Sequence, residues 1–178
     1  MQWYNEPPAW NVDGDTVTVT SGPKTDFWRK THYGFVRDNG HLYFQQVKGD
    51  LVCEVKVSGR YQALYDQAGL MVRVDEANWI KCGIEFVEGV QHVSAVVTRD
   101  YSDWSVVPLP HDPAALWLRV IRRGSAVEVH DSLDGERYTL LRLAYLVPAA
   151  ALSVGPMCAS PEGSGFSMTF EGLAVRCL

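Results

Sequence analysis

The stretch GLMVRVDEANWIKCGIEF, residues 69–86, decides the fold. Leu70, Val72, Val74, Ile80, Cys82, Ile84 and Phe86 alternate with Met71, Arg73, Trp79, Lys81, Gly83 and Glu85. Successive side chains of a strand point to opposite faces, so a period of two predicts a hairpin with one oily face and one face carrying both charge signs. If the apolar residues share a face, two near registers remain. One sets Arg73 opposite Lys81, and like charges directly across a ladder are destabilising. The other sets Arg73 opposite Trp79, Met71 opposite Lys81, Gly69 opposite Gly83 and Gln67 opposite Glu85, and it is preferred. It also offers an Arg73–Trp79 cation–π contact of about 0.5–1 kcal/mol. The next turn, VEGV at 87–90, reads as a two-residue hairpin loop with Gly89 supplying a positive φ. Val87 then faces Val90, Glu85 faces His92, Gly83 faces Ser94, Lys81 faces Val96 and Trp79 faces Thr98.

Outward from this hairpin the same period recurs. TVTVT (16–20), HLYFQQV (41–47), LVCEVKV (51–57), HVSAVVT (92–98), WSVVPL (104–109), LWLRVIRR, AVEVHDS, YTLLRLA, ALSVGPM and GFSMTFEGLAVRC are all short and rich in β-branched or aromatic residues. Turn formers such as DNG, KGD, EGV, SLDGE and SPEGSG bound them. RYTLLRLAYLVPAAA is the one competitor for helix, but Pro148 and its β-branched neighbours favour a strand followed by a loop. About a dozen strands with little helix predict two antiparallel sheets packed face to face. At 178 residues, with no linker or internal repeat, a single domain over 1–178 is expected.

Composition narrows the function. The net charge of −5 and the absence of any basic run longer than Arg119, Arg122 and Arg123 argue against nucleic acid, which is held by Lys and Arg clusters. No segment reaches the roughly 18 apolar residues of a membrane span. The N-terminus MQWYNEPPAW has no basic region followed by an apolar one, so a cytoplasmic protein is expected. Cys53 and Cys82 sit in apolar registers, and none of the four cysteines has CxxC spacing, which favours buried free thiols over disulfides or zinc. The turns DGD (13–15) and DNG (38–40), and SDWS (102–105), read as loops before they read as calcium sites. No metal and no cofactor is expected.

Four segments carry a family resemblance: YDQAGLMVRVDEANWIKCGIEF, GVQHVSAVVTRDYSDWSVVPL, WLRVIRRGSAVEVHDSLDG and VGPMCASPEGSGF. From about Trp10 to the C-terminus the chain resembles the bacterial and fungal group called regulation-of-enolase-protein-like. That resemblance implies an all-β, antiparallel jelly-roll sandwich of the concanavalin A-like lectin and glucanase type, and through the fold analogy a sugar ligand.

The charged face holds the candidate site. The predicted register makes one row of Gln67, Glu85 and His92, beside a row of Gly69, Gly83 and Ser94 that has almost no side chain. The resulting dimple is edged by Glu85, His92, Lys81 and Arg73. Gln67, Arg73, Trp79, Lys81, Glu85, His92, Ser94 and Trp104 are the candidate ligand-binding residues, with Trp79, Trp104 and Trp117 as stacking platforms. An ordinary solvated face, with Glu85–His92 as a surface pair, explains the same pattern. A glycosidase needs two carboxylates flanking the scissile bond. No strand carries the closely spaced acidic pair of the lectin-fold glucanases, and no GxSxG elbow occurs. Glu85 and His92 are the only catalytic candidates, as a proton-transfer dyad. The expected partner is a carbohydrate or small polar ligand. A glycan-processing enzyme and a regulatory domain that binds a protein partner, or a second copy of the chain, remain as alternatives.

Overall fold

The computed structural model describes residues 1–178. Sixteen strands follow one another: β1 Gln2–Tyr4, β2 Ala9–Asp13, β3 Thr16–Thr20, β4 Phe27–Arg29, β5 Val36–Asp38, β6 His41–Val47, β7 Leu51–Gly59, β8 Gln67–Arg73, β9 Asn78–Val87, β10 Val90–Arg99, β11 Tyr101–Pro108, β12 Leu116–Arg123, β13 Ala126–Ser132, β14 Thr139–Tyr145, β15 Leu152–Ala159 and β16 Ser167–Cys177. No residue is helical, and no helix long and apolar enough to cross a membrane exists. One seven-stranded sheet has the order β1-β6-β15-β8-β9-β10-β11, the other β14-β13-β12-β7-β16-β3-β2, and β4-β5 form a separate ribbon. Every pairing is antiparallel. The chain is the antiparallel β-sandwich that its alternation predicts, of the concanavalin A-like type that the family resemblance implies.

The two sheets meet through 29 buried residues, to which β8, β9 and β10 contribute Leu70, Val72, Ile80, Ile84, Val93 and Val97. Burying side chains of this size contributes about 1.5–3 kcal/mol each, which is why the apolar register cannot slip by one residue without exposing the whole set. The predicted register holds along both ladders. Gln67 opposes Glu85, Gly69 opposes Gly83, Met71 opposes Lys81 and Arg73 opposes Trp79, while Val87, Glu85, Gly83, Lys81 and Trp79 oppose Val90, His92, Ser94, Val96 and Thr98. Glu88 and Gly89 both have positive φ, 52° and 83°, as a tight hairpin turn matched to strand twist requires. All four cysteines are unpaired, and Cys53, Cys82 and Cys158 are buried.

Two expectations change. SDWS is not a loop: residues 102–105 lie inside β11. More consequentially, the second face of the β8-β9 hairpin is not solvated. The ribbon β4-β5 and its flanks, residues 25–40, lie across it as a strap, and Phe27, Trp28, Leu42, Phe44, Met71, Trp79, Val96 and Met157 form a second buried cluster there. All of β8 is buried, on both faces. Residues 21–40 show no alternation, so period alone leaves them unassigned, yet Phe27, Trp28, Tyr33 and Phe35 supply the apolar surface that covers the sheet.

Candidate functional site

The charged residues of the second face divide by position along it. At one end Arg73 docks the strap: its Nη1 and Nη2 donate to the two carboxylate oxygens of Asp38, each at 2.8 Å, and Nη2 also reaches the Tyr4 hydroxyl at 3.3 Å. The guanidinium lies 4.5 Å from the Tyr4 ring centroid, so Tyr4, not Trp79, takes the cation–π role. Further along, Lys81 Nζ donates to the Phe27 carbonyl at 2.7 Å, to Gln67 Oε1 at 2.6 Å and to Asp26 Oδ1 at 3.4 Å. The Ser102 hydroxyl accepts the Arg29 N–H at 3.0 Å, and Asp100 pairs with both Arg29 and Lys30. The contacts of Arg73, Lys81 and Ser102 satisfy groups that would otherwise be buried unpaired, which is why the polar pattern belongs to this face.

The strap stops short of Glu85. Between its edge and β8, β9 and β11 lies an open pocket of about 90 Å³, below the about 300–1,000 Å³ of sites that enclose a whole drug-sized ligand and suited to one edge of a ligand. Trp28, Tyr33, Phe35, Tyr65 and Trp104 form its walls, and Asp26, Gln67, Lys81 and Glu85 its floor. The aromatic walls brace one another, with Tyr33 stacked on Phe35, Trp28 edge-on to Tyr33 and Tyr65 edge-on to Trp104. The Tyr33 and Tyr65 hydroxyls are 3.2 Å apart, and that hydrogen bond is the leading reason the Tyr65 phenol is raised to about 12. Arg37 and Glu162, 4.0 Å apart, stand at the rim.

Glu85 is the most perturbed group of the floor. It is 6% exposed, and Oε2 accepts hydrogen bonds from Ser94 Oγ at 2.6 Å and Trp104 Nε1 at 2.8 Å. Burial pushes its carboxyl above the ordinary 4.5, with the neighbouring Asp26 charge adding to the rise, while Lys81, Ser94 and Trp104 oppose it.

Of the eight predicted ligand-binding residues, the structure gathers Gln67, Lys81, Glu85 and Trp104 into this pocket. Ser94 sits behind it as a donor to Glu85. The other three stand elsewhere. Trp79 is 1% exposed in the second core, so it offers no ring to a ligand. Arg73 is spent on Asp38. His92 is opposite Glu85 in register, but its Nδ1 lies 3.0 Å from the Val90 carbonyl of its own strand, and Glu85 takes its partners from Ser94 and Trp104. The Glu85–His92 dyad therefore does not form. Trp117, the third suggested platform, belongs to the far sheet, where Lys56 covers its ring at 5.5 Å. The glycine row is real, but as close backbone contact: a Cβ on Gly69 would collide with the Cys82 carbonyl, and one on Gly83 with the Ala68 carbonyl. The hollow over Gly83 holds only about 10 Å³, room for one water. What alternation misses is the strap contribution of Asp26, Trp28, Tyr33, Phe35 and Arg37. The aromatic density of DFWRKTHYGF (26–35) is the one signal that points to it.

Comparison with known proteins places the chain in a family. The family model described as Protein of unknown function (DUF1349) matches residues 3–177. The chain belongs to that family. Regulation of enolase protein 1 of Saccharomyces cerevisiae is 39% identical over 169 residues, 95% of this chain and 85% of that protein. A crystal structure described as a functionally unknown protein from Saccharomyces cerevisiae superposes with a TM-score of 0.96 at 37% identity, covering 99% of this chain and 96% of that one. More distant structures share the fold alone. The GH43 BlXynB protein from Bacillus licheniformis has a TM-score of 0.68 at 14% identity, covering 97% of this chain but 36% of that chain. The carbohydrate binding module CBM66 from Bacillus subtilis has a TM-score of 0.63 at 12% identity, covering 98% and 94%.

Proposed function

We propose that this DUF1349 family member is a carbohydrate-binding domain whose site is the pocket between the strap and strands β8, β9 and β11. The observation that carries the reading is the pairing of aromatic walls with two buried carboxylates, Asp26 and Glu85, on one pocket floor. A sugar ring has apolar faces that stack on aromatic side chains and an edge of hydroxyls that bond carboxylates, so both surfaces of such a ligand find a counterpart here. Trp104 serves twice, since its ring lines the pocket and its N–H holds Glu85. The likeness of scaffold to CBM66 makes a sugar site compatible with the fold and no more.

The test is a glycan array followed by calorimetric titration of the strongest ligand against the chain and its Trp104→Ala variant. Saturable binding that Trp104→Ala weakens is the expected result. An array blank across neutral and charged glycans would sink the proposal. A hydrolysis screen on the same glycans addresses the one feature that favours an enzyme, the raised Glu85 carboxyl, which is what a general acid requires.

A further inference from the structure

The hydrogen-bond inventory of the floor goes further than the presence of a pocket. Lys81 has three N–H donors, and they are met by Phe27 O, Gln67 Oε1 and Asp26 Oδ1. The Gln67 amide N–H groups point to the Tyr65 carbonyl at 3.2 Å and to Asp26 Oδ1 at 3.5 Å. Ser94 and Trp104 donate to Glu85 Oε2, and Trp28 Nε1 donates to the Thr31 carbonyl at 2.9 Å. Every donor in and behind the floor is therefore committed within the protein.

The acceptors are not. Asp26 Oδ1 takes the Phe27 N–H at 2.8 Å together with Lys81 and Gln67, which leaves Oδ2 without a bond. Glu85 Oε1 is likewise unpartnered, since both of its residue's donors converge on Oε2. Asp26 is 8% and Glu85 6% exposed, yet neither free oxygen belongs to the fully enclosed unpartnered atoms, which are Trp3 Nε1, Tyr61 Oη and Gln91 Oε1. Both oxygens thus keep some access to solvent, and both residues line the pocket. At the rim, outside the floor, Arg37 lies 4.0 Å from Glu162, beyond hydrogen-bond reach, and stacks on Phe35 at 4.4 Å, and the Tyr33–Tyr65 pair retains one hydroxyl hydrogen.

Resting on the carbohydrate reading, we infer that the floor accepts a ligand only as a hydrogen-bond donor. The ligand class is then an uncharged sugar residue whose hydroxyls donate to Asp26 Oδ2 and Glu85 Oε1, and acidic sugars are rejected. A uronic carboxylate or a sulfate brought to the floor would meet two acceptors and a lysine with no hydrogen left to give, and an unmatched buried charge is costly.

The same inventory makes Glu85 the residue that sets this selectivity, through an unusual lever. The indole N–H of Trp104 is a donor and never an acceptor, so in Glu85→Gln the amide oxygen must occupy the Oε2 position beside Trp104 and Ser94. The amide nitrogen is then driven to the Oε1 position, and an acceptor in the pocket becomes a donor. Wild type and Glu85→Gln are to be titrated with oligosaccharides of neutral hexoses and pentoses and with their uronic-acid counterparts, after matched melting curves show that both fold. Wild type is expected to bind neutral members and not their acidic counterparts. Glu85→Gln should lose about ten- to hundredfold in affinity for the neutral ligand, the range of a lost charged hydrogen bond, and gain binding to the acidic one. Adding Trp104→Phe to Glu85→Gln keeps an aromatic wall but frees the amide to turn, so the gain should disappear. Equal or tighter wild-type binding of uronic acids overturns the selectivity and leaves the sugar reading standing. Neutral binding unchanged by Glu85→Gln removes Glu85 from it, and a blank with every glycan overturns both.

Discussion

The two ends of the β8-β9 face both bury charge, and they use it differently. Around Arg73 the accounts are closed: both Asp38 oxygens are bound by one guanidinium, and Tyr4 completes the group. Around Glu85 they are left open, with two donors on one oxygen and none on the other. Closed networks fix structure, because each member lost strands another in a medium of low dielectric. An open acceptor held by its own neighbours in a pocket is what a ligand needs, because no protein bond must break before the ligand's bond forms. The same residue types on the same two strands thus dock the strap at one end and face a pocket at the other.

The largest expected effect breaks the closed end. Arg73→Ala strands Asp38 and loosens the strap, and should cost about 3–5 kcal/mol in urea unfolding, the range for breaking a buried pair from one side. If it costs under about 1 kcal/mol, the strap is not held by this pair. Ile84→Ala, on the inter-sheet face, should cost about 2–5 kcal/mol by removing core methylenes, and serves as the reference for a change that touches neither end.

At the open end the effects move from stability to binding. Trp104→Ala should weaken sugar binding by about 1.5–3 kcal/mol, since it removes a wall and one of the two donors that hold Glu85, with little change in the urea midpoint. A stability loss as large as that of Arg73→Ala would make this end structural too.

A smaller effect is the pH dependence. The Glu85 carboxyl is raised in the folded protein by burial, so its contribution to stability is fully present below about 4.5 and is lost as pH rises through the folded value. The stability of Glu85→Gln relative to wild type should therefore increase as pH rises above about 4.5 and then level off. His41, which burial lowers below 6.5, destabilises both proteins alike as pH falls and cancels in the difference. A flat or falling difference would contradict the buried Glu85 with its raised carboxyl described above.

The smallest effect should be that of thiol modification. In the native state a thiol reagent should label Cys177 alone and leave stability and binding unchanged, because Cys53, Cys82 and Cys158 are buried. All four should label after unfolding without reduction.

Strand pairing was legible in the sequence because it is written locally. Alternation from Leu70 to Phe86, a like-charge clash that removes one register, and Glu88-Gly89 at a tight turn are enough to align β8, β9 and β10, and the structure reproduces each pair. The candidate site was legible by half. Gln67, Lys81, Glu85 and Trp104 lie on regular strands whose periodicity can be read, while Asp26, Trp28, Tyr33 and Phe35 lie on a strap whose contacts are long-range and whose residues follow no period. His92 shows the limit from the other side: the register across from Glu85 was right, but register sets Cα neighbours and leaves the side chains to choose partners.

The amino-acid sequence by itself pointed to the two-sheet sandwich and its apolar interior, since a period of two buries every second residue and so many short strands would make an unusually wide single open sheet. Only the tertiary structure decided what the second face is for. Whether Arg73, Lys81 and Glu85 meet water, the strap or a ligand depends on where residues 25–40 come to rest, and that is set by packing and hydrogen bonding between segments far apart in the chain.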